Sequence, residues 1–183
     1  MIRAFLGIDL PPDIRGALQV QQFLLPLPRK ADPENLHLTL VFLGECAEPA
    51  LEAAHEGFCT LRAAPLSLTL DGFGLFGKEK PRAAWAAVLP SLELAHLQAK
   101  AETIARRAGC PVETRRFTPH VTLGRFQPPA PPDAMRLERA IATTPFHAGP
   151  WRVEELTLWQ SHLTPKGARY EVLARYPLIP DGA

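Results

Sequence analysis

Two copies of one short pattern constrain this chain more than any other feature: Leu36-His37-Leu38-Thr39-Leu40 and Pro119-His120-Val121-Thr122-Leu123, 83 residues apart. Each is a His-x-Thr-Leu inside an apolar run with strand character. Successive side chains of a strand alternate faces, so His37 and Thr39 point one way while Leu36, Leu38, Leu40 and Phe42 point the other. Six His and eleven Thr in the chain would give about 0.05 matches by random placement, so two copies are a signal.

The surroundings repeat as well. Ala4-Phe5-Leu6-Gly7-Ile8-Asp9-Leu10-Pro11 precedes a helix-like stretch, and so does Ala84-Trp85-Ala86-Ala87-Val88-Leu89-Pro90; the His follows the Pro by 26 residues in one case and 30 in the other. A mixed unit present only twice is not a solenoid, which needs three or more stacked repeats. It predicts two pseudo-symmetric lobes whose equivalent strands face each other, with the site in the cleft between them.

At 183 residues with 46% hydrophobic content, the expectation is a single bilobal domain over 1–183. The N-terminal run is broken by Pro11, Pro12 and Asp13. It lacks the apolar core of a signal peptide, and no run reaches membrane-spanning length, so a cytoplasmic location is expected. Cys46, Cys59 and Cys110 are scattered without metal-ligand spacing and read as reduced core or helix residues. A net charge of +1 is too small for gripping long nucleic acid through many phosphates, so a polynucleotide partner would be held at an end. The excess of Arg (15) over Lys (5) fits either nucleotide bias or heat adaptation.

Periodicity predicts strands over 2–10, 35–43, 66–71, up to 89, 117–126, 151–160 and 169–176, and helices over 13–25, 49–62, 91–108 and 133–143. Gly77-Lys78-Glu79-Lys80-Pro81 closes a long hairpin, and Gln127 to Pro132 reads as a stiff extended connector. Strands and helices interspersed with a hairpin fit an antiparallel α+β architecture better than a doubly wound parallel sheet.

Imidazole is the side chain whose ordinary pKa lets it act as acid or base near neutrality, and two across a cleft form a complementary pair. In-line displacement at phosphorus needs both at once, one removing a proton from the nucleophile and one delivering a proton to the leaving alkoxide. The paired hydroxyls of Thr39 and Thr122 are placed to donate to non-bridging oxygens. A metal site is the weakest option, since each copy offers one good ligand and no Cys or carboxylate stands at ligand spacing beside it.

The two motifs, the segments from Glu34 to Gly44 and Phe117 to Arg125, and the late run from Ser161 to Tyr170 together resemble the 2H phosphoesterase superfamily. Within it the chain is most similar to the RNA 2',3'-cyclic phosphodiesterases, also called 2'-5' RNA ligases. The resemblance runs from Arg3 to about Leu178. It implies a bilobal α+β fold with pseudo-two-fold symmetry, two antiparallel sheets lining a central cleft and helices outside. It also implies opening of RNA terminal 2',3'-cyclic phosphates to 2'-phosphates without a metal or other cofactor. His37, Thr39, His120 and Thr122 become the catalytic set, with His120 the base and His37 the acid, although symmetry would allow the reverse order. Arg125, Arg116 and Tyr170 become the substrate-binding residues, and the partner is an RNA or oligonucleotide end engaged by a monomer.

Arg125 lies five residues after His120 and would face away in a regular strand, so reaching the site requires a bulge or a strand end. Two departures from relatives are visible: Val41 stands where a basic residue is often found, which would weaken contacts to an RNA backbone, and Gly124 replaces a small side chain, expected to be neutral. His162-Leu163-Thr164 lacks the following Leu and runs into Pro165, so it reads as a loop residue. His147 also reads as a loop residue, and His55 and His96 as helix residues. Lys78, Lys80 and Arg82, and Arg115 with Arg116, are either solvated charges or a rim for phosphates. Phe73, Phe76 and Trp85 fit core packing better than base stacking. The rival functions are 2'-5' ligation, hydrolysis of small cyclic-phosphate nucleotides, and a non-catalytic nucleotide or RNA-end binding module.

Overall fold

The apolar runs assemble into eight antiparallel strands and four helices. The computed structural model describes residues 1–182. The strands are β1 (Ile2–Asp9), β2 (His37–Cys46), β3 (Leu66–Phe76), β4 (Ala83–Val88), β5 (His120–Arg125), β6 (His147–Val153), β7 (Glu155–Thr164) and β8 (Gly167–Pro177). The helices are α1 (Pro12–Leu24), α2 (Glu48–Cys59), α3 (Leu92–Arg107) and α4 (Pro131–Thr143). Three of them carry proline in the first turn, where its missing N–H costs nothing. The remaining one, α3, is capped by Ser91, whose hydroxyl accepts from the Leu94 N–H at 3.1 Å.

The strand order is β6-β3-β4-β5-β2-β1-β7-β8. It reads as two four-stranded halves related by a pseudo-two-fold axis that exchanges β5 with β2, β4 with β1, β3 with β7 and β6 with β8. The halves meet at β2 and β5 through the pair Leu38–Val121, so the two expected sheets are joined edge to edge. Leu38 and Val121 point into the core with Leu6, Ile8, Leu40 and Leu123. Helix residues Ile14, Leu18, Leu51, Phe58, Leu94, Leu97 and Ala101 bury against the same side, which leaves the opposite face of the central strands clear of helices.

The symmetry extends to irregularities. Between β1 and β2, Gly7 pairs with Thr39 and Leu6 with Val41, which leaves Leu40 as an extra residue. Between β4 and β5, Trp85 pairs with Thr122 and Ala84 with Gly124, which leaves Leu123 as an extra residue. Both motif leucines are therefore bulges, and each bulge inverts the face assignment of the residues after it. Arg125 returns to the face of His120 and Thr122, and Phe42, expected on the face opposite His37, is turned by the Leu40 bulge to the equivalent place on the His37 face. Val41 and Gly124 turn to the core.

Three expectations are corrected. The second motif strand starts at His120 rather than 117, because Pro119 has no N–H and its carbonyl instead takes the Val88 N–H at 3.1 Å. The strand expected over 151–160 is two strands broken at Glu154, whose carbonyl accepts from the Leu178 N–H at 2.7 Å. The connector after Gln127 is shorter than expected because the helix starts at Pro131.

Gly124 is not a neutral position. A Cβ there would press into the backbone carbonyl of Arg29, on the connector that also docks through Ala31 N–H to Leu123 O at 2.8 Å. Buried Gln22 ties the same two segments, donating to Ala31 O at 3.0 Å and Leu123 O at 2.9 Å. Gly124→Ala should therefore cost about 1–3 kcal/mol of stability by displacing this strap. Urea denaturation measures it, and a loss below a few tenths of a kcal/mol would show that the connector yields freely.

Candidate functional site

His37, Thr39, His120 and Thr122 share the helix-free face at the junction of the two halves. With Leu38 opposite Val121, His37 and His120 occupy diagonal positions of an antiparallel pair, which lie about 7–8 Å apart in regular geometry. Each His thereby sits across from the other copy's Thr. The two rings sense each other, since a charge on His120 disfavours protonation of His37.

Both rings are anchored alike. His37 Nδ1 lies 2.7 Å from the Asn35 carbonyl oxygen, and His120 Nδ1 lies 2.6 Å from that of Thr118. A carbonyl can only accept, so Nδ1 carries the proton in both neutral rings and Nε2 presents a lone pair. The Thr39 hydroxyl donates to His37 Nε2 at 2.8 Å. The Asn35 amide donates to Ala168 O at 2.6 Å, so the anchor of His37 is itself fixed to the start of β8. Arg15 completes the support, donating to Pro33 O at 2.6 Å, Leu36 O at 3.1 Å and Asp9 at 2.6 Å.

Aromatic rings enclose both imidazoles. Around His37 stand Phe5 (centroids 4.7 Å apart), Tyr170 (5.2 Å, edge-on) and Trp159 (5.5 Å). Around His120 stand Phe76 (5.0 Å, edge-on) and Trp85 (5.7 Å). Trp159 and Phe76 occupy equivalent strands of the two halves. Gly74 makes room for Trp85, because a Cβ there would collide with the indole. Desolvation in this box is the main reason His37 is pushed down to about 4, with His120 and Arg125 adding to it and the Asn35 bond and Asp9 opposing it. His120 is also lowered, first by burial and then by Arg125, against the Thr118 bond.

Arg125 reaches the site by the bulge, and its charge acts on His37, His120 and Tyr170 alike. Tyr170 packs against both Phe5 (4.8 Å) and His37. Arg116 lies exposed on the connector before β5, two residues from Thr118, whose carbonyl anchors His120. Val41 is buried and no side chain there would reach RNA, which corrects the significance expected of that position. Phe73 stacks on Phe146 at 5.0 Å and packs against the core, whereas Phe76 and Trp85 belong to the site. Phe5 and Trp159 are site residues that the motifs do not point to, although the alternation of Arg3, Phe5, Gly7 and Asp9 already puts Phe5 on the face of His37.

His162 is on β7 rather than in a loop, paired with Arg169 and bonded to Glu171 at 2.9 Å. Its parity with Gln160 turns it away from Trp159 and the site. His147 begins β6 and contacts Asp71 at 3.3 Å, so it too is a strand residue. His55 and His96 lie on helices as expected. Among the described residues no group of three or more His, Cys, Asp or Glu side chains is arranged to hold a metal ion. Cys46 and Cys110 are buried, Cys59 is exposed, and all three are free thiols. No helix is long and apolar enough to cross a membrane among the described residues. Two surface depressions, of about 530 and 590 Å³ and lined in part by Arg62 and Lys100 and by Arg136 and Arg139, lie away from the histidines.

The lowered His37 links the site to stability. The unfolded chain takes up a proton near 6.5 while the folded ring resists until about 4, so acid favours unfolding through this window. The contribution is fully present above about pH 6.5 and is lost as pH falls toward 4, up to about 3 kcal/mol in all. His37→Gln should flatten the fall of Tm between pH 7 and 4. An unchanged slope would mean that the ring is not held neutral by its surroundings.

Comparison with known proteins places the chain in a family. The sequence profile of the 2'-5' RNA ligase superfamily matches residues 10–165. The RNA 2',3'-cyclic phosphodiesterase of Archaeoglobus fulgidus is 30% identical over 178 residues, covering 94% of this chain and 98% of the relative. That of Geobacillus stearothermophilus is 32% identical over 166 residues, 86% of this chain, and this chain spans about half (51%) of that relative's length. The crystal structure of E. coli LigT complexed with 3'-AMP superposes with a TM-score of 0.81 at 30% identity, covering 97% of this chain and 98% of that one. The twinned His-x-Thr strands thus lie within a match that spans most of the chain, and the protein belongs to the 2'-5' RNA ligase superfamily.

Proposed function

We propose that the protein hydrolyses the 2',3'-cyclic phosphate at an RNA terminus to a 2'-phosphate, with His120 as general base and His37 as general acid. The observation that carries this reading is the pair of imidazoles diagonal across one strand pair, each with Nδ1 anchored on a backbone carbonyl and Nε2 directed at the shared face. The names of the relatives support the substrate class.

His120 Nε2 takes a proton from water as its oxygen attacks phosphorus. The P–O3' bond breaks in line, and His37 Nε2 delivers a proton to O3', which leaves the phosphate on O2'. The order is the one the family resemblance implies, and because burial pushes His37 down to about 4, its ring has to gain a proton on substrate binding to serve as the acid. The phosphate anion bound beside it raises its proton affinity, so the acid is loaded when substrate arrives. Thr39 couples to this step. Its hydroxyl donates to the Nε2 lone pair in the free protein, and protonation of Nε2 removes that acceptor and frees the hydroxyl for a non-bridging oxygen. Thr122 holds the symmetrical position, and Arg125 neutralises the phosphoryl charge.

His37→Ala and His120→Ala should each lower turnover of a 2',3'-cyclic-phosphate oligonucleotide by about 10²–10⁴; near wild-type turnover in either would end the proposal. A substrate with sulfur replacing O3' has a leaving group that needs no proton. It should restore His37→Ala and not His120→Ala, and rescue of the other variant would reverse the two roles. Because the side chains supply all the proton transfers, activity should persist in EDTA, and its abolition there would refute the scheme.

A further inference from the structure

We propose that Arg3 is a second phosphate-binding cation of this site, placed to take the phosphodiester on the 5' side of the terminal nucleotide and so to favour oligonucleotides over mononucleotides. The inference rests on the phosphodiesterase reading above.

The symmetry of the sheet points to it. The twin bulges at Leu40 and Leu123 make Phe42 the counterpart of Arg125, five residues after each motif histidine. One half of the site thus carries a cation where the other carries a phenyl ring. The missing cation arrives from the neighbouring strand: the Arg3 guanidinium lies 4.6 Å from the centroid of the Phe42 ring. Arg3 alternates with Phe5 along β1, and Phe5 packs on His37, so Arg3 emerges on the same face of the sheet.

A guanidinium stacked on a ring directs its N–H groups outward in its own plane, where they match a phosphate. The ion pair of Arg3 with Glu45 Oε1 is 3.7 Å long, with the two side chains 36% and 53% exposed. That is too long for a hydrogen bond and too exposed to hold the cation firmly. A phosphate can therefore recruit Arg3 without breaking a strong contact.

The two arginines act at different depths. Arg125 bears on both histidines and on Tyr170, whereas Arg3 bears on Tyr170. Arg125 follows His120 on its own strand, whereas Arg3 pairs with Glu45 at the far end of β1, two residues beyond the Phe5 ring that packs on His37, so Arg125 is assigned to the reacting phosphate and Arg3 to the next one. The next anion along an RNA strand from its cyclic terminus is the phosphodiester on the 5' side. A mononucleotide with a free 5' hydroxyl has no group to place there.

The test compares wild type, Arg3→Gln and Arg3→Lys. The probes are adenosine 2'-phosphate and a triadenylate with a terminal 2'-phosphate and a free 5' hydroxyl, titrated between about 50 and 200 mM salt. Arg3→Gln should weaken the trinucleotide about tenfold more than the mononucleotide, and the slope of log K against log salt for the trinucleotide should shrink by about 0.7, the value for one lost phosphate contact on a single strand. Arg3→Lys should keep most of the slope. Equal weakening of both ligands, or an unchanged slope, overturns the proposal. Turnover of both cyclic-phosphate forms by wild type is measured in parallel: its absence would refute the hydrolytic reading, while the binding comparison would still decide the role of Arg3. Circular dichroism confirms folding of the variants.

Discussion

The site depends on one backbone pairing. Leu38 and Val121 bring the two halves of the sheet together, and everything chemical is arranged about that point: the histidines one residue before each, the threonines one residue after. Because both Leu38 and Val121 are fully buried, the pair is held by the core from one side while its neighbours are offered to the other. A slip of one residue by either strand would send its own imidazole toward the helices and its apolar side chain to the cleft. The hydrophobic core therefore sets the register of the two histidines, and the site inherits the stability of the strands that carry it.

Symmetry supplies the scaffold, and departures from it supply the differences that the proposed proton transfer needs. Each imidazole has the same carbonyl anchor two residues back, so the same tautomer is favoured on both sides. The enclosures differ: His37 sits against three aromatic rings and receives the Thr39 hydroxyl, while His120 sits against two. Lower polarity around one ring makes two chemically identical groups unequal as acids. The cations are unequal in the same way: Arg125 stands on the motif strand in one half, and Arg3 of the neighbouring strand lies over Phe42 in the other.

The histidines and threonines are legible in the sequence because strand alternation is a local property and the duplication makes it unmistakable. The need for a bulge before Arg125 is legible from parity alone, but its location is not, since a bulge is defined by the partner strand. The same non-local feature decides Val41: without the bulge at Leu40 its side chain would face the cleft. The constraint on Gly124 comes from Arg29, 95 residues earlier in the chain, and no local pattern carries it. His162 reads as a loop residue because of the turn residues after it, which begin only where β7 ends. The aromatic enclosure is legible in part, as Phe5 shares the parity of its strand, whereas Trp159 comes to His37 only through the placement of β7 beside β1.

In the proposed mechanism both imidazoles address one phosphorus atom from opposite sides. The most direct measurement of this is a crystal structure of the protein with a nucleoside 2',3'-cyclic vanadate, whose five-coordinate metal imitates the geometry of in-line displacement. One apical oxygen should lie within hydrogen-bond distance of His37 Nε2 and the other within reach of His120 Nε2, with the equatorial oxygens met by Thr39, Thr122 and Arg125. A vanadate held by a single histidine, with the second imidazole facing solvent or an equatorial oxygen, would contradict it.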